Sequence, residues 1–280
     1  WPAIWGVAGI DLSPDGTRLA VAIDANLPSV WDLASNQFVQ LVGHRASVSR
    51  LSFSPDGKRI ATASDDMTAR VWDTESGRTI SVLEGHTDRV WDAKFSPDGK
   101  QLLTCSADGT AALWDVESGK RFLELKGHTG PVSVGAFSIE GKRAFTGSED
   151  RTVRVWETAT GAEVGQLNGL GGGVYEVSVS PDGRYVVTGS NEIARIWDAR
   201  SLDLLAAWPG VDRARYVVAP QSLILAFYDG RVERWEAPSW NQADGADETI
   251  GAFREKDYAG TRDLLVPDTV PERIISLVST

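Results

Sequence analysis

The stretch VSRLSFSPDGKRIATAS, Val48 to Ser64, sets two runs of alternating character, with Leu51 and Phe53 and then Ile60 as apolar members, on either side of the quartet Ser54-Pro55-Asp56-Gly57. Alternation of this kind marks half-buried strands. Within the quartet, Pro fixes φ near the value needed at the second position of a type I turn. Asp can hydrogen-bond back to the local backbone, and Gly supplies φ > 0 at no steric cost. The stretch reads as strand, tight turn, strand. One such hairpin decides nothing, because turns of this kind occur on the surface of every fold.

Register decides more. The quartet returns at Ser13, Ser96 and Ser180, and an altered copy, SIEG, stands at Ser138. A tryptophan follows 18 residues after Ser13, Ser54, Ser96 and Ser138 (Trp31, Trp72, Trp114 and Trp156) and 17 after Ser180 (Trp197). A pattern held over five copies about 42 residues apart is an internal repeat, and a period of this size points to a propeller or a solenoid. Between hairpin and Trp lies a second turn, written DD, ADG or EDR. After Trp comes a Gly-bearing turn (TESG at Thr74, VESG at Val116, TATG at Thr158) and a fourth strand such as RTISVLEGH. Each unit is therefore a four-stranded antiparallel meander, rich in β-branched and aromatic residues, and no helix of useful length is expected before the tail.

Composition bounds what such a chain does. Its 280 residues are 42% apolar and 24% charged, which suits one globular domain with a substantial core. Lys and Arg number 28 against 39 Asp and Glu, a net charge of −11. No basic stripe appears, so a nucleic-acid partner is not expected, and the acidity favours basic or neutral partners. The single cysteine, Cys105, excludes an internal disulfide framework and is compatible with a reducing cytoplasm. No apolar run approaches the roughly 18 residues of a membrane helix, so no membrane partner is expected. The chain opens on Trp1 instead of Met, and we expect it to be a piece of a longer chain.

The dipeptide Trp-Asp at Trp31, Trp72, Trp114 and Trp197, Trp-Glu at Trp156 and Trp235, and Gly-His at Gly43, Gly85 and Gly127 together resemble the WD-repeat family. The resemblance is strong over residues 1–236 and weak beyond. It implies an all-β β-propeller, a single domain over residues 1–280 whose blades are these meanders. It also implies a hydrogen-bonded lock of His, Ser/Thr, Asp and Trp inside each blade. Three copies carry the full set: His44, Thr62, Asp66 and Trp72; His86, Thr104, Asp108 and Trp114; His128, Thr146, Asp150 and Trp156. An ionised Asp accepts from imidazole, the hydroxyl bridges, and the indole N–H finds a buried acceptor. The other copies depart. Ala3 stands where the first His would be, Leu170 replaces the fifth, and the sixth keeps Asp229 and Trp235 but has Leu225 in place of the hydroxyl. Six Trp-ended units are evident, and TRDLLVPDTVPERIISLVST at the end aligns with half a further one. We expect seven blades with the last incomplete; six blades plus a terminal hairpin is the alternative.

The residue inventory leaves little for chemistry. All three histidines lie in Gly-His and are absorbed by the structural reading, leaving none for a metal or an acid–base role. Cys105 sits in a second strand, where a buried inert thiol is expected. The Asp-Gly pairs lack the 12-residue ligand spacing of a calcium loop. NGLGGGVYE has glycines but no GK[ST] and no following helix; it reads as an inter-strand loop that replaces Gly-His. No cofactor, metal or catalytic residue is expected.

A partner is expected on loops held by the rigid scaffold. In the family, binding positions follow Gly-His-x-x and precede the turn Asp. Carried over, they include Trp5, Asp65, Arg89, Trp91, Glu149, Tyr175 and Tyr228, with Ser47, Ser49, Ala107, Pro131, Ser133 and Gly173 completing the set. Arg and aromatic residues are favoured at interface hot spots; the alternative place for Trp91 is between blades. The expected function is a non-catalytic scaffold or sensor module that binds a protein or peptide on the rim around a central channel. The close SPDG/Trp-Asp repeats look like bacterial WD-repeat regions attached to other domains, which makes domains of the same parent chain possible partners. A propeller enzyme or lectin-like domain with a small-molecule site in the channel is the competing class.

Overall fold

The computed structural model describes residues 7–23, 27–190 and 193–209, and the backbone of strands Val211–Val217, Ser222–Phe227 and Val232–Glu236. The chain divides into two compact units, Trp1–Ala237 and Pro238–Thr280. Every described residue lies in the first.

Twenty-three strands form six sheets, each an antiparallel meander in which sequence neighbours pair. Five sheets have four strands and the sixth has three described. In blade two the strands are Val48–Phe53, Arg59–Ser64, Ala69–Asp73 and Thr79–Leu83. The other blades repeat this order. The first strands of consecutive blades (Val7–Leu12, Val48–Phe53, Val90–Phe95, Val132–Phe137, Val174–Val179 and Val211–Val217) lie side by side, so blades meet along this tier. The architecture is all-β and consistent with a β-propeller. The ETIGAF segment and the terminal half unit fall outside the described residues.

The repeated turn works as its residues require. Asp56 accepts from Ser54 Oγ at 2.5 Å and from the Lys58 N–H at 3.1 Å, while Gly57 takes φ +68°. Ser54 Oγ in turn accepts the Arg59 N–H at 2.9 Å. The Asp of Trp-Asp closes the next turn: Asp73 accepts the N–H and hydroxyl of Ser76 at 2.8 and 2.6 Å.

Packing between blades rests on size. The fifth residue of each second strand is small (Ala22, Ala63, Cys105, Gly147, Gly189 and Ala226). At Gly147 a methyl group would stand 2.7 Å from Val174 Cγ1 and 2.8 Å from Val134 Cγ1. The next blade's first strand thus approaches until only hydrogen fits. Cores form across these contacts; Leu51 and Phe53 of blade two bury against Ala20, Ala22, Val30 and Leu41 of blade one and its exit.

Candidate protein-interaction rim

Blades two, three and four share one arrangement of four side chains. His44 Nδ1 lies 2.8 Å from Asp66 Oδ2, His44 Nε2 lies 2.7 Å from Thr62 Oγ1, and the Trp72 indole N–H donates to the same hydroxyl oxygen at 2.8 Å. The distances recur for His86, Asp108, Thr104 and Trp114 (2.8, 2.7 and 2.7 Å) and for His128, Asp150, Thr146 and Trp156 (2.8, 2.8 and 2.7 Å). The three indoles are 2% exposed or less.

Electrostatics fixes the protons. Burial lowers the pKa of all three imidazoles, against the opposing pull of the Asp hydrogen bond. Each ring is therefore neutral, donates Nδ1–H to the carboxylate and accepts from Thr at Nε2. Burial works against ionisation of Asp66, Asp108 and Asp150 as well. Hydrogen bonds from Thr68, Thr110 and Thr152, from the N–H groups of Arg45, Thr87 and Thr129, and from the imidazoles outweigh it and hold all three carboxyls at about 2. The chain of donors runs from indole through hydroxyl and imidazole to carboxylate, and no histidine retains a free ring nitrogen for a metal.

The glycine of Gly-His is a close approach. A Cβ on Gly43 would meet Trp72 Cη2 at 3.0 Å, and one on Gly127 would meet Trp156 Cη2 at 3.1 Å. The loop has to lie against the indole for the histidine to reach inward.

A fifth member was missed in the sequence. Ser64, Ser106 and Ser148, all fully buried, accept the N–H of Asp66, Asp108 and Asp150 at 3.1, 3.1 and 3.0 Å and donate to the carbonyls of Ala46, Asp88 and Gly130. The signal was present, since Ser stands two places before each Asp. Blade five keeps Ser190, Thr188 and Trp197, with the indole donating to Thr188 at 2.9 Å. Its Leu170 is buried in place of His, and Arg195 donates to the Leu170 carbonyl at 3.0 Å and to Ser190 Oγ at 3.2 Å. An arginine thus takes over part of the polar work; neither residue type nor spacing announced it. In blade one, the indole of Trp31 donates to Ser29 Oγ at 2.9 Å and stacks on Phe38 at 4.6 Å.

The rim positions follow from a defect repeated in every first strand. Pairing with the second strand skips one residue in each sheet: Ala8, Ser49, Trp91, Ser133, Tyr175 and Asp212 are passed over. Each is the extra residue of a β-bulge, a device that re-aims a side chain and ends regular pairing. Beside the bulge, the second turn is fastened to the incoming loop. The N–H groups of Asp65, Ala107 and Glu149 donate to the carbonyls of Ser47, Arg89 and Pro131, each at 2.9 Å. Asp65 and Trp91 are half-buried, while Arg89, Glu149 and Tyr175 are exposed, Tyr175 by 44%. Tyr175 folds over Gly173, whose missing Cβ would meet the phenol oxygen at 2.8 Å and Glu149 Cα at 3.4 Å. Ser133 turns inward instead, 8% exposed, donating to the Val174 carbonyl. Trp5 and Tyr228 lie outside the described residues, as do Ala3 and Asp229.

Cys105 is fully buried, and burial raises its pKa well above the ordinary thiol value. Among the described residues no group of three or more His, Cys, Asp or Glu is placed to hold a metal ion, and no helix is long and apolar enough to cross a membrane.

Comparison with known families places these features together. The profile of the WD40 family, WD domain, G-beta repeat, matches residues 35–73, 77–115, 119–157 and 161–198, more than half of the chain. Each matched segment begins near one blade's fourth strand and ends at the Trp-Asp or Trp-Glu of the next, so a sequence repeat straddles two blades. No individual curated protein matches the chain. With the tandem meanders, the Trp-closed third strands and four consecutive profile matches, the chain belongs to the WD-repeat family.

Proposed function

We propose that this chain is a non-catalytic interaction platform that binds a protein or peptide on the rim formed by the first-strand bulges and the turns fastened beside them. WD40 repeats generally mediate protein–protein interaction, and WD40 repeat domains are typically non-catalytic scaffolds. The observation that carries the reading to this rim is the bulge: one residue per blade leaves the ladder at the same level, and in blades three and five that residue is aromatic, Trp91 and Tyr175. Arg89 stands exposed two places before Trp91, and Asp65 and Glu149 add acids around them. Aromatic and Arg anchors amid polar groups are the layout of an interface hot spot. Trp5 and Tyr228 are proposed for the same rim from their place in the repeat.

We place this platform in a ring of seven blades, within a bacterial, multidomain parent chain acting in the cytoplasm. Support for a further blade comes from blade one: Ile10 and Leu12 are 58% and 52% exposed, whereas Leu51 and Phe53, at the same places in blade two, are 4% and 8% exposed against the blade before.

The test is affinity capture from source cells with the native chain, with Trp91→Ala and with a control on the opposite turns, Lys58→Ala. A partner retained by the native chain and by Lys58→Ala, and lost by Trp91→Ala, supports the rim. Equal retention by all three removes it.

A further inference from the structure

Below the rim, the first strands carry a surplus of cations that the rest of the chain does not. Pairing with the second strands puts Arg50, Asp92, Glu176 and Arg213 at one level, opposite Ala63, Cys105, Gly189 and Ala226. Two residues further along each strand, the charged positions are Asp11, Lys94 and Arg215. Four cations and three carboxylates thus occupy these two levels, in a chain whose net charge is −11.

The carboxylates are in part already taken. Asp11 accepts the Phe53 N–H at 2.8 Å. Asp92, 0% exposed, accepts the Ala93 N–H at 3.0 Å and the Gly135 N–H of the next blade at 3.1 Å. Arg50 Nη1 and Lys94 Nζ flank Asp92 at 3.8 and 3.6 Å, too far for hydrogen bonds, and both side chains remain 28% exposed. One buried carboxylate is shared between two cations and satisfies neither. Arg50 also reaches past blades three and four to donate to the Tyr175 carbonyl of blade five at 3.1 Å. Its side chain therefore crosses the space that the first strands enclose, directly beneath the bulge residues Trp91 and Tyr175.

We propose that this space seats a phosphate-class oxyanion between Arg50 and Lys94, and that the partner bound on the rim presents such a group downward into it. The second half of the proposal rests on the rim reading; the seat itself does not. Donors held in place inside a partly enclosed site, with their charge incompletely matched, favour a compact multiply charged acceptor. A single anion is required, not a tracked nucleic-acid backbone, which would need several cations in a line.

The probe is inorganic phosphate titrated into the intact chain at constant ionic strength, followed by calorimetry. Saturable one-site binding is expected. Lys94→Gln should weaken it about ten-fold, the worth of one charge-assisted hydrogen bond, and Lys94→Arg should restore it. Arg45→Gln, which removes an exposed cation outside the two levels, should leave it unchanged. The denaturant midpoint of each variant checks folding. A peptide carrying phosphoserine that binds more tightly than phosphate identifies the source as a partner side chain, and equal affinities identify a free anion. Absence of saturation, full binding by Lys94→Gln, or an equal loss in Arg45→Gln would overturn the seat. Phosphate binding that persists in Trp91→Ala, where the rim partner is lost, separates the two readings.

Discussion

His86 shows how completely one residue's chemistry is used up by structure. Its two ring nitrogens face Asp108 and Thr104 at 2.8 and 2.7 Å. Asp108→Ala should leave the imidazole N–H and the N–H groups of Thr87 and Thr110 without their acceptor; one unsatisfied buried group costs about 1–3 kcal/mol. The denaturant midpoint should fall accordingly, and an unchanged midpoint would reduce Asp108 to a solvated turn residue. Protonation acts on the same groups. The folded imidazoles have pKa values lowered from 6.5, burial being the main cause. The unfolded chain therefore takes up protons first, so their contribution is complete above pH 6.5 and is lost as pH falls through the folded value. The carboxylates are held at about 2 against an ordinary 3.8, so their contribution is present above 3.8 and disappears toward 2. Both erode on the acid side. Stability measured by denaturant should decline as pH drops below 6.5 and more steeply below 3.8; a rise in stability between pH 7 and 5 would contradict the assigned protonation.

At the scale of strands, size and irregularity matter more than charge. Gly147→Ala forces a methyl group against Val174 and Val134, both β-branched and buried, and should cost about 1–3 kcal/mol by overpacking. Gly16→Ala, with nothing within 4 Å of its Cβ and φ +70°, should cost only the backbone penalty of about 1 kcal/mol. Denaturation of the two variants distinguishes blade packing from turn strain; equal losses would mean that blade four and blade five are not in close contact at Gly147. The hairpins were legible because Ser-Pro-Asp-Gly and its Trp keep one register. The bulges were written there too, in the odd spacing from Val48 to Leu51, where strict alternation needs an even one. They were missed because the tally of alternation tolerates one slip. A second set of bulges, at Ile80, Phe122 and Val164 of the fourth strands, interrupts the outer edges, which discourages pairing with other chains. Arg195 could not be read at all, because its role depends on Leu170 having displaced a histidine 25 residues away.

Across the whole molecule the lock is uneven. Blades two to four have His, Thr, Asp and Trp in contact, while blade one relies on Trp31 and Phe38 and blade five on Arg195. Opening should follow that order, since regions with fewer buried contacts open at lower free energy. Amide exchange should be slowest in the second strands of blades two, three and four, and faster in those of blades one and five; uniform protection would mean that the lock adds nothing to local stability. This rigid middle carries the rim residues Asp65, Arg89, Trp91 and Glu149, with Tyr175 at its border. Residue pattern and family point to a platform, but the surface that binds depends on where the bulges aim side chains, which no repeat count reveals. The most direct test is a paired measurement on Trp91→Ala: affinity for the partner captured by the native chain, and melting temperature. Loss of about 2 kcal/mol or more in binding, the hot-spot threshold, with the melting temperature nearly unchanged, is the result expected of a rim anchor. Full affinity, or a large drop in melting temperature, would place Trp91 between blades and contradict the rim.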